Sequence, residues 1–210
     1  ALTNSTINLF DANGFYIGYK NYSSSDVLQN NGNYINDING NVVESNDYNG
    51  NGTLQYRSTW IYDINGNPTE SSQFNASGFQ GKTTYSYDAN GNQIEIKVYD
   101  ASGLLRYSTY AYDAKRNLIS TKNYDANGVL TSTQANVYDA NNNLVEFKNY
   151  DSSGSLVERE VTVYDSNGYI ASNMNYSGAG TLQISRRYSY DSNGNLTNTV
   201  FEDSLGITIN

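Results

Sequence analysis

The apolar positions of this chain show neither the 3.6-residue spacing of an amphipathic helix nor a long apolar run; they alternate with polar ones in short stretches. Over 156–164, Leu156, Glu158, Glu160, Thr162 and Tyr164 would share one face of a strand, and Val157, Arg159, Val161 and Val163 the other. Over 93–98, Ile94, Ile96 and Val98 oppose Gln93, Glu95 and Lys97. Over 130–137 neither face is clearly apolar. The segments are rich in Tyr, Thr, Val, Ile and Ser, a composition that fits a pleated, half-buried surface, and each has room for a strand of about 8–10 residues. A sandwich or closed barrel needs a consistently apolar inner face. This pattern rarely supplies one, so the core is expected to be thin, with cross-strand pairs of roughly 0.2–1 kcal/mol each holding the sheet.

Each stretch ends on the same punctuation. An aromatic precedes an Asp-x-Asn-Gly-like turn at Phe10, Tyr22, Tyr48, Tyr62, Phe74, Tyr87, Tyr99, Tyr112, Tyr124, Tyr138, Tyr150, Tyr164, Tyr176, Tyr190 and Phe201, with Asn36 in the aromatic's place once. The Asp side chain accepts a backbone N–H two residues on, Asn tolerates the left-handed region and Gly enters it freely, so the motif reverses the chain. An aliphatic residue six positions after the aromatic (Leu130, Leu144, Leu156, Ile170, Leu182, Leu196) opens the return strand. Sixteen such signals predict about seventeen strands, paired into about eight hairpins of 25 or 26 residues. The expected fold is all-β: one repeat domain over 1–210, an antiparallel β-hairpin array forming an open meander or a spiralling, solenoid-like sheet. The first two repeats, with Ser23-Ser24-Ser25 and Asn30-Asn31-Gly32-Asn33, read as the same fold with longer or looser turns.

In a meander, alternate turns fall on opposite edges of the sheet. The first edge carries an Asp in every repeat: Asp11, Asp37, Asp63, Asp88, Asp113, Asp139, Asp165 and Asp191. The second carries Ser23, Asn49, Asn75, Asp100, Asp125, Asp151, Ser177 and Glu202. On the first edge the motif often extends to Asp-x-Asn-Gly-Asn, which looks like the start of a calcium loop without its distal Glu. Asp11, Asp37, Asp63, Asp88, Asp139, Asp165 and Asp191 are therefore the candidate metal ligands; Lys115-Arg116 interrupts the pattern at Asp113. Neighbouring turns should stand roughly 10 Å apart, twice the strand spacing, so one turn alone would hold any cation. Calcium is the one cofactor this pattern admits.

Composition narrows the chemistry. Histidine and cysteine are both absent from the 210 residues, which removes the commonest general base, the usual nucleophile activators, thiolate metal sites and disulfides. Only paired carboxylates remain, and Glu158 with Glu160 reads better as a solvated face than as a glycosidase pair. An enzyme is not expected. The net charge of −9, with 12 scattered Lys and Arg, argues against nucleic acid, and no apolar run has the length of a membrane span. The opening Ala1-Leu2-Thr3 is what a mature exported chain would show, and 21 tyrosines in an Asn-, Ser- and Thr-rich background suit a cell-surface or extracellular protein.

The runs 87–92, 124–128 and 190–196, each beginning Tyr-Asp and passing through Asn-Gly, resemble the YD repeats of the RHS family, bacterial surface and secreted proteins. That resemblance implies strands wound into a spiralling antiparallel sheet. The turn is also similar to the aromatic-rich repeats of choline- and glucan-binding modules, which stack tryptophan on their ligands; here Trp60 is the single tryptophan, and Tyr62, Tyr87, Tyr99, Tyr112, Tyr124, Tyr138, Tyr150, Tyr164, Tyr176 and Tyr190 are the repeat aromatics. Strand-like Thr6-Ile7-Asn8-Leu9 and Ile207-Thr208-Ile209-Asn210 flank the array with neither helix nor charge cluster, and an uncovered edge strand invites pairing. The expected function is a non-enzymatic extracellular fibre, matrix or adhesin subunit that assembles edge to edge with itself. The alternative is a carbohydrate- or cell-wall-binding module. Departures from the repeat near Trp60, Pro68 and Lys115-Arg116 are where a ligand site would sit.

Overall fold

A computed structural model describes residues 4–203 and Leu205. They form sixteen strands and no helix: β1 (Ser5–Phe10), β2 (Tyr16–Tyr22), β3 (Leu28–Asn36), β4 (Val42–Asn49), β5 (Leu54–Tyr62), β6 (Pro68–Asn75), β7 (Gly78–Tyr87), β8 (Gln93–Asp100), β9 (Gly103–Tyr112), β10 (Leu118–Asp125), β11 (Leu130–Tyr138), β12 (Leu144–Asp151), β13 (Leu156–Tyr164), β14 (Ile170–Ser177), β15 (Leu182–Tyr190) and β16 (Leu196–Asp203). The chain divides into two units, Ala1–Arg106 and Tyr107–Asn210, with β9 running through the division. In the first, β1 to β8 pair in chain order, each antiparallel to the next. In the second, β10 to β16 do the same. Neither unit closes on itself among the described residues, so the all-β, open hairpin meander is the architecture observed.

The return strands β11 to β16 start at the aliphatic residues read from the pattern, Leu130, Leu144, Leu156, Ile170, Leu182 and Leu196. Two expectations differ in detail. Asn30, Asn31, Gly32 and Asn33 lie inside β3, and the turn before it is no looser than the rest: Asp26 N–H donates to Ser23 O at 3.0 Å and Ser23 N–H to Val27 O at 2.8 Å. At the end of β16 the turn carboxylate is Asp203, which accepts the Leu205 N–H at 2.9 Å, and not Glu202, whose side chain is committed to Arg187. The strand expected at Ile207–Asn210 lies outside the described residues.

The turns share one geometry. In the turn at Asp11, Gly14 N–H donates to Asp11 O (3.1 Å) and Asp11 N–H to Phe15 O (2.9 Å), a type I turn closed by a left-handed residue and a bulge. Gly occupies the left-handed position in most turns, with φ between 81° and 87° at Gly14, Gly40, Gly66, Gly91, Gly168 and Gly194. Asp26, Arg116 and Asn142 take it with φ of 60–69°. The turns after Phe74 and Tyr99 are one residue shorter: Asn75 pairs directly with Gly78, and only Ala101 and Ser102 separate the end of β8 at Asp100 from the start of β9 at Gly103. Those two turns are why the spacing falls from 26 residues to 25 in the middle of the chain.

No hydrophobic side chain among the described residues is buried; the buried side chains are Ser45, Asn46, Ser72 and Ser185. Each unit is thus a sheet without a second layer over it. One face carries short rows of ion pair and aromatic: Glu44–Arg57 (2.7 Å) with Arg57 over Phe74, Glu70–Lys82 (2.8 Å) with Lys82 over Tyr99, and Glu146–Arg159 (2.5 Å) with Arg159 over Tyr176. The other carries cross-strand amide and hydroxyl chains, Thr6–Asn21–Asn30 and Ser108–Asn123–Ser132, with links of 2.6–2.9 Å. The partition of β13 into Leu156, Glu158, Glu160, Thr162 against Arg159, Val161, Val163 matches the observed register.

The left-handed position gives a direct test. Gly168 has φ +85° and open space around a would-be Cβ, so Gly168→Ala should lose about 1–2 kcal/mol from backbone strain alone. Arg116→Gly should gain about 0.5–1 kcal/mol at the same turn position. Urea unfolding of the two variants checks the opposite signs.

Candidate functional site

The repeated first-edge turn is the most elaborated structure in the molecule. In each of these turns the Asp Oδ1 accepts two backbone N–H groups, from residues two and four positions on; at Asp63 these are Asn65 and Asn67, both at 2.9 Å. Where the fifth residue is Asn, its Nδ2 donates to the second oxygen of the same carboxylate: Asn41 to Asp37, Asn67 to Asp63, Asn92 to Asp88, Asn117 to Asp113, Asn143 to Asp139 and Asn195 to Asp191, at 2.9–3.0 Å. These bonds favour the charged carboxylate. The Asn41 amide leads in holding Asp37 below the usual carboxylate range, and the Asn side chains do the same at Asp63, Asp113 and Asp191; at Asp139 the Asn143 backbone N–H leads. Asp113 keeps the full set of bonds although Lys115-Arg116 breaks the sequence motif, since Arg116 adopts the left-handed conformation itself.

All seven candidate metal ligands, Asp11, Asp37, Asp63, Asp88, Asp139, Asp165 and Asp191, sit at equivalent turn positions, one per hairpin. The fold does not gather them: among the described residues no three carboxylates lie close enough to share an ion. A cation at any one turn would compete with the turn's own donors for the same oxygens. Two turns replace the Asn with an aromatic. Phe15 and Tyr169 lay their rings against the glycine of the next first-edge turn, Gly40 and Gly194.

At five first-edge turns the tyrosine before the turn holds the preceding hairpin. Its hydroxyl donates to the carbonyl of the residue that opens the neighbouring strand: Tyr62 to Val42 (2.9 Å), Tyr87 to Pro68 (2.9 Å), Tyr138 to Leu118 (3.1 Å), Tyr164 to Leu144 (3.2 Å) and Tyr190 to Ile170 (3.0 Å). Asn36, in the aromatic's place, makes the same link through its Nδ2 to Tyr16 O at 3.1 Å. Tyr112 holds the corresponding place in its repeat. On the second edge the aromatics have other work. Tyr99 and Tyr176 lie under Lys82 and Arg159, Tyr124 stacks on Tyr107 with centroids 4.5 Å apart, and Tyr150 faces Thr133.

The tyrosine link was not legible as such, though a signal for it existed: the first edge prefers Tyr, and its one departure from an aromatic, Asn36, is a residue that also donates. Burial raises the pKa of Tyr62 and Tyr87. Tyr19, whose hydroxyl donates to Asp47 at 2.9 Å, is pushed up to about 12, first by burial and then by that bond. Glu158 and Glu160, the residual carboxylate pair, accept from Asn175 and Asn173.

No protein-family model matches the chain, and no curated protein matches it. Among solved structures it is similar to a chain of the TcdB2–TccC3 crystal structure, at 14% identity over 97% of this chain and 15% of that one, with a TM-score of 0.44. It is also similar to a chain of the Photorhabdus luminescens Tc holotoxin pore, at 14% identity over 97% and 14% of the two chains, TM-score 0.43. A porin-like protein from Bacteroides uniformis aligns over 95% of this chain and 89% of its own at 11% identity, TM-score 0.42. The chain thus spans about 15% of the length of the TcdB2–TccC3 chains, and at these identities nothing of their activity passes to it.

Two measurements follow from the turn and the tyrosine. Tyr164→Phe removes one hydroxyl link and should cost about 0.5–1.5 kcal/mol in urea unfolding, while Tyr150→Phe on the other edge should cost less. The pH profile of stability should fall on both sides. Carboxylates with depressed folded pKa values stabilise the fold above their unfolded value, about 3.9–4.3, and that contribution disappears as pH falls through the lower folded values. Tyrosines with raised folded values stabilise it below about 10, and the contribution is lost as pH rises through the folded values, which for Tyr19 means toward about 12. Thermal melts by circular dichroism should therefore show a plateau through neutrality with losses at both ends.

Proposed function

We propose that this chain is a non-enzymatic, extracellular structural protein whose hairpins add edge to edge, so that the array extends into a surface fibre, matrix or adhesin. In this reading it is a relative of the YD-repeat proteins that its turns resemble. One observation carries the reading: the contact by which a hairpin grips the one before it recurs in the same form at Tyr62, Tyr87, Tyr138, Tyr164 and Tyr190. Such a contact is translational and sets no limit of its own on the number of hairpins. Any further hairpin of this sequence type, in the same chain or in a second copy, finds the same acceptor. Repeat arrays held by nearest-neighbour contacts behave as one-dimensional assemblies.

The side-chain inventory supports the non-enzymatic part: the sequence has no histidine or cysteine, and Glu158 and Glu160, the one carboxylate pair considered for catalysis, are engaged by Asn175 and Asn173. Calcium could join as a co-ligand of assembly at the first-edge Asp row only by displacing the turn's own donors from the carboxylate, the Asn amides among them. A second reading, a carbohydrate- or cell-wall-binding module, is favoured by a single feature, an unfilled notch over Gly81 on the first unit.

Electron microscopy beside light scattering over a concentration series, each with calcium and with chelator, tests the assembly. Particles that grow with concentration into filaments support it, and their loss in chelator assigns the Asp row to a metal. A monomer at every concentration in both conditions overturns it.

A further inference from the structure

On one face of the first unit the cross-strand polar bonding is interrupted over β6 to β8. Thr6, Asn21 and Asn30 are linked side chain to side chain across β1 to β3. Over β6 to β8 the residues at comparable positions are Ser71, Gln73 and Thr83, with Ser71 directly opposite Thr83 and Gln73 opposite Gly81. The backbones of all three are paired in the ladder, but none of the three side chains is hydrogen-bonded to another side chain as Thr6, Asn21 and Asn30 are. Gly81 lies in the floor of this interruption. A Cβ there would stand 2.3 Å from the Tyr99 carbonyl oxygen, so the position must stay bare. Above it is a notch of about 200 Å³, lined in part by Val98 and Leu105.

The same unit contains a second strand glycine opposite an aspartate. Gly32 lies opposite Asp47, as Gly81 lies opposite Asp100. There the ring of Tyr19 covers the glycine, with Cε1 2.5 Å from where a Cβ would stand, and its hydroxyl donates to Asp47 at 2.9 Å. In β2 to β4 the protein fills the space over a strand glycine with its own six-membered, hydroxyl-bearing ring. Over Gly81 it supplies no such ring.

We propose that the Gly81 notch is a binding subsite for one ring of a neutral saccharide. Two hydroxyls and an amide, Ser71, Thr83 and Gln73, can both donate to and accept from sugar hydroxyls, and Val98 and Leu105 meet a C–H face. The volume lies below the roughly 300–1,000 Å³ of ordinary ligand clefts, which suits one ring of a longer chain. Trp60 is paired directly opposite Ser71, on the strand next to it. An anionic ligand is disfavoured: Lys82 is engaged by Glu70 at 2.8 Å, and the chain carries −9 overall.

The test is backbone-amide NMR of the full chain titrated with mono- and tetrasaccharides of glucose, galactose and N-acetylglucosamine. Saturable shifts confined to β5 through β8 with at least one of these sugars are expected. They should weaken at least tenfold in Ser71→Ala/Thr83→Val, and separately in Gln73→Ala, an exposed change that leaves the sheet intact. No saturable shift from any sugar, shifts elsewhere, or equal affinity in both variants overturns the proposal. Light scattering on the same samples keeps this result separate from edge-to-edge assembly, since sugar binding needs no polymer and a polymer needs no sugar.

Discussion

The structure depends on one carboxylate oxygen accepting two backbone N–H groups. With no hydrophobic side chain buried among the described residues, no second layer forces the strands into place. The chain must reverse correctly at every turn by local means. On the first edge Asp captures the amides two and four residues on; on the second edge Asn49 and Ser177 capture the amide four residues on, and Gly takes the left-handed position that lets the bulge close. On the first edge a following Asn completes the grip on the carboxylate. The Asp-x-Asn-Gly-Asn run, which resembles a cation loop in sequence, is in the fold a closed hydrogen-bonded ring in which the amide side chain sits where a cation's charge would otherwise be sought.

What joins hairpin to hairpin is a second, longer-range device. Strand pairing aligns each hairpin with its neighbour, and the tyrosine hydroxyl then ties the first-edge ends together. Tyrosine suits this role because its ring covers half-buried strand surface while its tip reaches a carbonyl that the ladder leaves free. Asn36 shows that donation is the requirement, since a short amide substitutes for the phenol. The ion pairs add less. Arg57 and Arg159 remain about two-fifths exposed, where such pairs are worth about 0–1 kcal/mol, and their larger effect is to set one face of the sheet apart from the other.

The two faces have different prospects. One carries ion pairs, with Arg57, Lys82 and Arg159 laid over Phe74, Tyr99 and Tyr176. The other is a field of amides and hydroxyls that satisfy one another where they meet, as at Asn21, Asn123 and Asn173, and stay open where a glycine separates them. A repeat protein gains a site by such a lapse in its own pattern. Gly81 is a lapse of that kind, two strands from Trp60, the region whose departure from the repeat the sequence already flagged.

The sequence by itself determined the turns, the strands and their order. These are local: the Asx cap, the left-handed glycine and the period of two are written in residues at most six apart, so Leu130 or Ile170 could be named as a strand start from spacing alone. It did not disclose that Asn30 to Asn33 continue a strand, because their composition is that of a turn and only pairing with β2 and β4 makes them strand. Nor did it disclose the destination of Tyr62 or Tyr164, whose acceptors lie 20 residues back, or that Asn41 and its counterparts close on the preceding Asp. Those contacts, like the open floor at Gly81, exist only once neighbouring strands are in register, because they are made between atoms that the chain brings together by pairing and not by proximity in sequence.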